Sequence, residues 1–302
     1  MNETKRVIAL GFFDGVHLGH GALLTRCAQR AGELGAIPAA FTFDLHPSAL
    51  IPGKTPVPLL TTPADRAGIM ERQYGIREVI VAHYDQKMMT TPWRDFVTDY
   101  LVRDHNAVHL VVGHDFHFGY KGEGDPQKLQ ALCAELGIGC DVIAKVELDG
   151  ITVSSTHIRT LMAAGDMAGA VRFLGHPHVL TATVAHGKRL GHRLGFPTVN
   201  LPFPQGLLVP VKGVYVTRAV LPDGRAFPAV TNVGTRPTVE DDHALNAEGW
   251  ILDFDGDLYG QEVRLEFYDF LRPEKKFDSL EDLRAMVLHN AQQTRDYFAA
   301  HP

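Results

Sequence analysis

Apolar and polar positions in the first half of the chain switch repeatedly between two periods. Arg6–Leu10 is a short apolar, β-branched run, followed by a Gly-rich turn and a helical pattern from about Leu18 to Leu34. Ala36–Phe43 reads as a second strand. Thr62 offers an N-cap with Pro63 at the first helical position, and Gly75 ends that helix. Glu78–Val81 is a third strand, and Thr91 with Pro92 repeats the start signal before Phe96, Val97, Tyr100 and Leu101 at helical spacing. Val108–Val112 is wholly apolar, as a strand covered on both faces should be. Pro126–Leu136 is helical and Cys140–Val146 makes a fifth strand. Strands separated by helices of this length predict an α/β, doubly wound parallel sheet, with ligands beyond the carboxyl ends of the strands.

Two short helices follow, Ser155–Ala164 and Met167–Leu174, before Gly175-His176-Pro177-His178 breaks the pattern. The domain boundary is placed there, giving domains 1–176 and 177–302. The second half reads as six short strands between Gly- and Pro-rich turns: Leu180–Val184, Pro197–Leu201, Val214–Val220, Phe227–Val233, Trp250–Phe254 and Glu262–Phe270. Strands without intervening helices predict a small six-stranded β-barrel. A terminal helix closes the chain. Asp278 and Glu281 form its capping-box pattern, and Leu280, Leu283, Val287, Ala291, Thr294 and Phe298 lie along one face.

Composition narrows the function classes. With 302 residues, 45% hydrophobic and 21% charged, the chain has enough apolar residues for two globular cores. A net charge of −6 argues against a dedicated nucleic-acid binder. No window carries the roughly 20 apolar residues of a membrane span, and Met1–Arg6 lacks an apolar signal region. The three cysteines, Cys27, Cys133 and Cys140, form neither an even disulfide set nor a paired zinc motif, which points to reduced thiols and a cytoplasmic protein.

The first chemistry lies in Gly11–His20, between the first strand and the first helix. Glycines there let backbone N–H groups approach an anion, and the helix N-terminus adds a favourable dipole. His17 and His20 are three apart and project from one helical face, an arrangement suited to a triphosphate. A zinc site would need a third ligand at motif spacing, which is missing. Of the other histidines, His105 and His109 read as surface residues. The string His17-Leu18-Gly19-His20 resembles the nucleotidylyltransferase signature, and Gly11–His20 as a whole resembles the FAD synthetase module of bacterial riboflavin biosynthesis proteins. Phe41–Pro47 and Gly113–Gly119 resemble further blocks of that family, and Val153–Arg159 its second phosphate motif. The resemblance implies catalytic roles for His17, His20 and Arg159. It implies ATP-phosphate contacts at Gly11, Phe13, Asp14, Gly15, Ser154, Ser155 and Thr156, and flavin contacts at Asp115, Phe116 and Phe118. Adenylyl transfer requires alignment and charge neutralisation, with Mg²⁺ clamping phosphate oxygens, and no protein nucleophile.

The second half carries its own dense motif, Gly187–Leu201. Glycines at 187, 191 and 195 can form a loop against phosphates, and Thr198 and Asn200 alternate to the same strand face with oxygens suited to Mg²⁺. The block resembles that of the riboflavin kinase family, in which Pro197-Thr198-Val199-Asn200 would carry the ATP-bound metal. Gly213–Tyr215, Asn232–Thr238, Glu248–Phe254, Asp257–Gly260 and Leu271-Arg272 follow in the family's order. The resemblance implies that Gly187, Gly191 and Gly195 hold ATP, that Arg272 contacts the flavin, and that Glu248, at the start of a strand, is the general base on the ribityl hydroxyl. It departs from the family pattern at Phe12, His157, His192, Val199 and Gly249, the last making the segment that carries the base more mobile.

Together these resemblances are those of the bacterial bifunctional riboflavin kinase/FAD synthetase family. They imply a transferase that converts riboflavin to FMN and FMN to FAD, using ATP and Mg²⁺ and releasing ADP and pyrophosphate. No nucleic-acid or membrane partner is expected, and a homo-oligomer is left open. Two other readings compete: a kinase with an inactive first half, and a non-catalytic flavin-binding protein.

Overall fold

The computed structural model describes residues 4–46, 53, 55–186, 195–235 and 245–301. The chain divides into two compact units, residues 1–155 and 156–302.

The first unit is built on β1 (Arg6–Leu10), β2 (Ile37–Phe43), β3 (Glu78–Ala82), β4 (Ala107–Gly113) and β5 (Gly139–Ile143), all parallel, in the order β3-β2-β1-β4-β5. The chain runs from β1 outward through β2 to β3 on one side and then crosses to β4 and β5 on the other, so the carboxyl ends of β1 and β4 flank a switch point. Helix α1 (Leu18–Leu34) starts there, and Gly35 in the left-handed region ends it. Helix α2 (Pro63–Tyr74) begins where Thr62 accepts from the Asp65 N–H and stops at Gly75. A short α3 (Gln86–Thr90) precedes α4, which opens as Trp93–Asp95 and continues as a π-helix over Phe96–Asp104. Asp125 caps α5 (Pro126–Leu136) by accepting from Lys128 N–H. The core gathers Ile8, Leu10, Phe41, Leu110 and Val112 of the sheet with Phe96, Leu101 and Leu132 of the covering helices.

A two-residue hairpin, β6 (Glu147–Leu148) and β7 (Ile151–Thr152), occupies the stretch just after β5, and the fifth strand ends at Ile143, short of Val146. His109 is not on the surface: it is buried, with Nε2 3.3 Å from Asp141, a carboxylate that Arg30 also holds at 2.8 Å.

The second unit carries helices α6 (Ser155–Ala164, counted from Thr156) and α7 (Met167–Leu174). Its sheet comprises β8 (His178–Thr183), β9 (Thr198–Pro202), β10 (Gly213–Val220), β11 (Ala226–Thr235), β12 (Leu245–Ile251) and β13 (Glu262–Pro273), antiparallel in the order β8-β13-β10-β11-β12-β9. The sheet curls until its edges meet beyond β8, where Ala185 N–H donates to the Asn200 carbonyl at 2.8 Å. Helix α8 (Leu280–Ala300) lies against β10 and β11, with Asn290, Ala291 and Thr294 buried.

Two expectations shift. The fifth barrel strand is Leu245–Ile251 rather than Trp250–Phe254, so Glu248 is its fourth residue and not its start. Gly249 therefore lies in a paired strand and not in a mobile loop, and a Cβ there would sit 3.2 Å from the buried Thr231 hydroxyl. The terminal helix is capped one residue later than the pattern predicted. Ser279 accepts from Asp282 N–H, so Asp278 stands one residue ahead of the cap.

His178 is buried in the second unit, its Nε2 has no hydrogen-bond partner, and its ring meets Phe267. Burial first, and the nearby His176 second, hold its pKa down to about 3. Because the folded value lies below the unfolded value of about 6.5, this neutral imidazole costs nothing above that pH and destabilises the fold as pH falls toward the folded value. We expect the second unit to lose about 2 kcal/mol from this residue between pH 7 and pH 5. Urea midpoints followed by Trp250 fluorescence in a Trp93→Phe background read this loss, and His178→Leu should remove it. Parallel pH dependence in the two proteins would contradict it.

Candidate active sites

At the end of β1 the chain makes a turn that ordinary residues rarely adopt. Phe13 has φ 54°, Gly15 79° and Val16 43°. For a β-branched residue such as Val16 this costs on the order of 1–3 kcal/mol, and such strain persists only where neighbours over-determine it. The neighbours are identifiable. The Asp14 carboxylate accepts from the backbone N–H groups of Leu60 (2.8 Å) and Thr61 (3.1 Å). Gly15 N–H donates to Thr61 Oγ1 at 3.1 Å, and Ser155 Oγ donates to the Asp14 carbonyl at 2.9 Å. Phe13 is wholly buried, its ring 3.1 Å from where a Cβ on Gly11 would be. Glycine at 11 thus leaves room for that ring.

This turn delivers His17 to the N-cap of α1, where its Nδ1 accepts from the His20 N–H at 3.2 Å. With Nδ1 used as an acceptor, a neutral His17 carries its proton on Nε2. The His20 ring stacks on the His17 ring, centroids 3.6 Å apart and 13° from parallel. A Cβ on Gly19 would come within 3.1 Å of the His17 ring, so glycine there permits the arrangement. Burial, then the positive charge that His17 can carry, then that of Arg66, keep the His20 imidazole well below its ordinary pKa. At neutral pH it is an uncharged donor at a helix N-terminus, and its Nδ1 is buried without a partner.

Asp14, expected at the phosphates, turns its carboxylate to the backbone N–H groups of Leu60 and Thr61 and holds the turn. Ser154 and Ser155 follow the β6–β7 hairpin, and Thr156 and Arg159 continue along α6, within the second unit as the chain divides. Beside the turn a cavity of about 200 Å³ is lined by Gly11, Phe41, Phe43, Tyr84, Phe116 and Phe118, among others. Phe116 and Phe118 stack at 5.3 Å. Asp115 stays outside it, its side chain 81% exposed.

In the second unit, strand register assembles the site. Glu248 on β12 is paired with Asn200 on β9 and with Asn232 on β11, so three polar side chains form one row across three strands. Thr198, two residues before Asn200, shares its face. Asn200 is buried and its Oδ1 accepts from Asn246 at 3.0 Å, which fixes the carboxamide and leaves that oxygen a second lone pair. Two cavities flank β9. One, about 390 Å³, is lined by Pro197, Thr198, Phe254, Asp257 and Tyr259 among others, with His186 stacked on Tyr259 at 4.2 Å. The other, about 270 Å³, is lined by Thr198, Asn232, Glu248, Trp250 and Arg272, with Val287 and Asn290 of α8. Thr198 belongs to both. Arg272, its pKa lowered by burial, donates through Nε to Asn290 Oδ1 at 3.1 Å. Gly195 has φ 87°. Gly187, Gly191, His192, Pro47 and Arg236–Thr238 lie outside the described residues.

Comparison with known proteins matches the two units to two families. Residues 1–157 match the model of the FAD synthetase family and residues 174–298 that of the riboflavin kinase family. The chain belongs to both, joined in one polypeptide. A bifunctional riboflavin kinase/FMN adenylyltransferase of Listeria monocytogenes is 36% identical over 298 residues, 98% of this chain and 94% of that protein. One from Pseudomonas fluorescens is 38% identical over 93% of this chain and 89% of its own length. A crystal structure described as a macrolide-efflux protein from Streptococcus pneumoniae shares the fold at TM-score 0.85 and 26% identity, covering 98% of this chain and 95% of that one. Among the described residues of this FAD synthetase–riboflavin kinase chain, no helix is long and apolar enough to cross a membrane.

Sequence reading passed over Arg66, which stands on α2 with no motif around it, and quoted Asn232 only as part of a family block, its place beside Glu248 being set by strand register. The Asp14 contacts yield a prediction for the FAD synthetase unit. Asp14→Ala strips two backbone N–H groups of their acceptor and removes the carboxylate 3.9 Å from the buried Arg66, so it should destabilise that unit by about 3 kcal/mol. Chemical denaturation followed by Trp93 fluorescence in a Trp250→Phe background reads the change. A loss below about 0.5 kcal/mol, the range of a neutral surface change, would show that the turn stands without Asp14.

Proposed function

We propose that residues 177–302 phosphorylate riboflavin to FMN and residues 1–176 adenylylate FMN to FAD, each reaction consuming ATP. The observation that carries the kinase half is Thr198, shared by two cavities with Glu248 one strand away. Phosphoryl transfer needs a donor and an acceptor meeting in line at one point. The larger cavity takes ATP and the smaller one the flavin, whose ribityl hydroxyl reaches Glu248. Glu248 accepts the hydroxyl proton as the oxygen attacks the γ-phosphorus and the bond to the β–γ bridging oxygen breaks, releasing ADP, while Arg272 helps hold the flavin. Thr198 Oγ1 and Asn200 Oδ1, oxygens on one strand face, suit Mg²⁺, which would neutralise phosphate charge. Gly187, Gly191 and Gly195 would cover the phosphates.

In the adenylyltransferase half, a phosphate oxygen of FMN attacks the α-phosphorus of ATP and pyrophosphate leaves. His17 and the uncharged His20 donate hydrogen bonds to the phosphate oxygens as charge builds on the leaving group, and the family resemblance assigns phosphate contacts to Ser154, Ser155, Thr156 and Arg159 as well. The aromatic cavity walled by Phe116 and Phe118 suits the flavin ring, a flat apolar surface.

The two halves should separate by mutation. His20→Ala is expected to lower FAD formation by roughly 100-fold or more while FMN still accumulates from riboflavin. Equal loss of both products would refute separate sites. Glu248→Gln should stop FMN formation yet leave FAD synthesis from supplied FMN, and riboflavin phosphorylation surviving that change would overturn the general-base role.

A further inference from the structure

Arg66 is among the largest wholly buried side chains of the protein, with 0% exposure. Its guanidinium donates to Thr42 Oγ1 at 2.8 Å, to the Phe43 carbonyl at 3.0 Å and to the Thr61 carbonyl at 3.5 Å. It also lies 4.7 Å from the centroid of the Phe12 ring, whose other ring neighbour is His46 at 5.0 Å. Thr42 in turn donates to the Phe12 carbonyl at 2.7 Å. One cation thus touches the segment after β1, the end of β2 and the segment before α2. Phe12 is a departure from the family pattern, so the ring contact is a feature of this chain.

The charge is poorly neutralised where it sits. Asp14, the nearest carboxylate, is 3.9 Å away and accepts from Leu60 and Thr61 instead. The remaining partners are neutral oxygens and an aromatic face. Arg66 Nε is buried with no hydrogen-bond partner, as is His20 Nδ1 in the same corner. A buried guanidinium whose one paired carboxylate stands at the long end of an ion-pair contact is costly to hold, and the ATP polyphosphate of the reaction would add negative charge beside it.

We infer that Arg66 is a positioning residue of the adenylyl-transfer site, a fixed positive charge behind the bound polyphosphate that also locks the turn carrying His17. This deepens the proposed FAD synthetase reading and rests on it. The charge of Arg66 also reaches His20 and helps to keep that ring neutral, hence a donor to phosphate. The charged groups facing Arg66 are Asp14 and, when protonated, His20.

The test uses the full chain with Arg66→Met and Arg66→Lys. FMN formation from riboflavin serves as an internal control, since it belongs to the other unit. Arg66→Met should lower kcat for FAD formation from FMN by on the order of 100-fold and raise the pH at which the His20 ring titrates by NMR, with FMN formation unchanged. Arg66→Lys keeps the charge and should stay within about tenfold of wild type, with His20 unmoved. Equal effects of Met and Lys, or a Met variant within about threefold of wild type, would overturn the inference. If Arg66→Met does not fold, Arg66→Lys decides alone, since a loss of about 100-fold there would show that charge is not what Arg66 supplies. If the wild type itself makes no FAD, the adenylylation reading fails, and the His20 titration in the two variants still tells whether Arg66 acts on that ring.

Discussion

The Asp14 carboxylate, accepting from the backbone of Leu60 and Thr61, holds the turn on which the first site depends. That turn carries Phe13 and Val16 at positive φ, a conformation that would relax if the anchor were removed. Its purpose is directional. Only by this sharp reversal does the chain leave β1, bury Phe13 against Gly11 and enter α1 with His17 at the N-cap. Stacking at 3.6 Å then couples the two imidazoles, because two protonated rings in that contact would repel. On the proposed reading, an uncharged His20, a helix N-terminus and the buried Arg66 organise this site for phosphate before any ligand arrives.

The second site reaches the same end by register rather than strain. Antiparallel pairing sets Asn200, Glu248 and Asn232 opposite one another, and a one-residue slip would turn all three to the other face. The buried Thr217 and Thr231 hydroxyls, 2.7 Å apart on the other face beside Gly249, resist such a slip. Thr198 on the edge strand is then placed between two cavities.

Much of this was legible in the chain. Helices with strong end signals, such as Thr62-Pro63 to Gly75 and Leu18 to Gly35, fall where the caps and glycines put them, because those signals are local. The alternation of strands and helices gave the parallel sheet, and Gly11–His20 marked the first site by its position after β1. What was missed depends on distant partners. The β6–β7 hairpin is too short to show a period. The strand bearing Glu248 was displaced because Asn246 and Glu248 interrupt its apolar run, and their facing toward Asn200 is a tertiary fact. Asp14 looked like a phosphate ligand because its acceptor role is satisfied 46 residues away. Arg66 looked like an ordinary helical charge because Phe12, Thr42 and Asp14 come to it from other elements.

The central claim is that one chain carries two sequential transferases. A time course of purified protein with riboflavin, ATP and Mg²⁺, resolved by chromatography, addresses it most directly. The account predicts FMN first, then FAD rising as FMN is drawn down. FMN that never proceeds to FAD would contradict the adenylyltransferase half, and the absence of both products would contradict the whole.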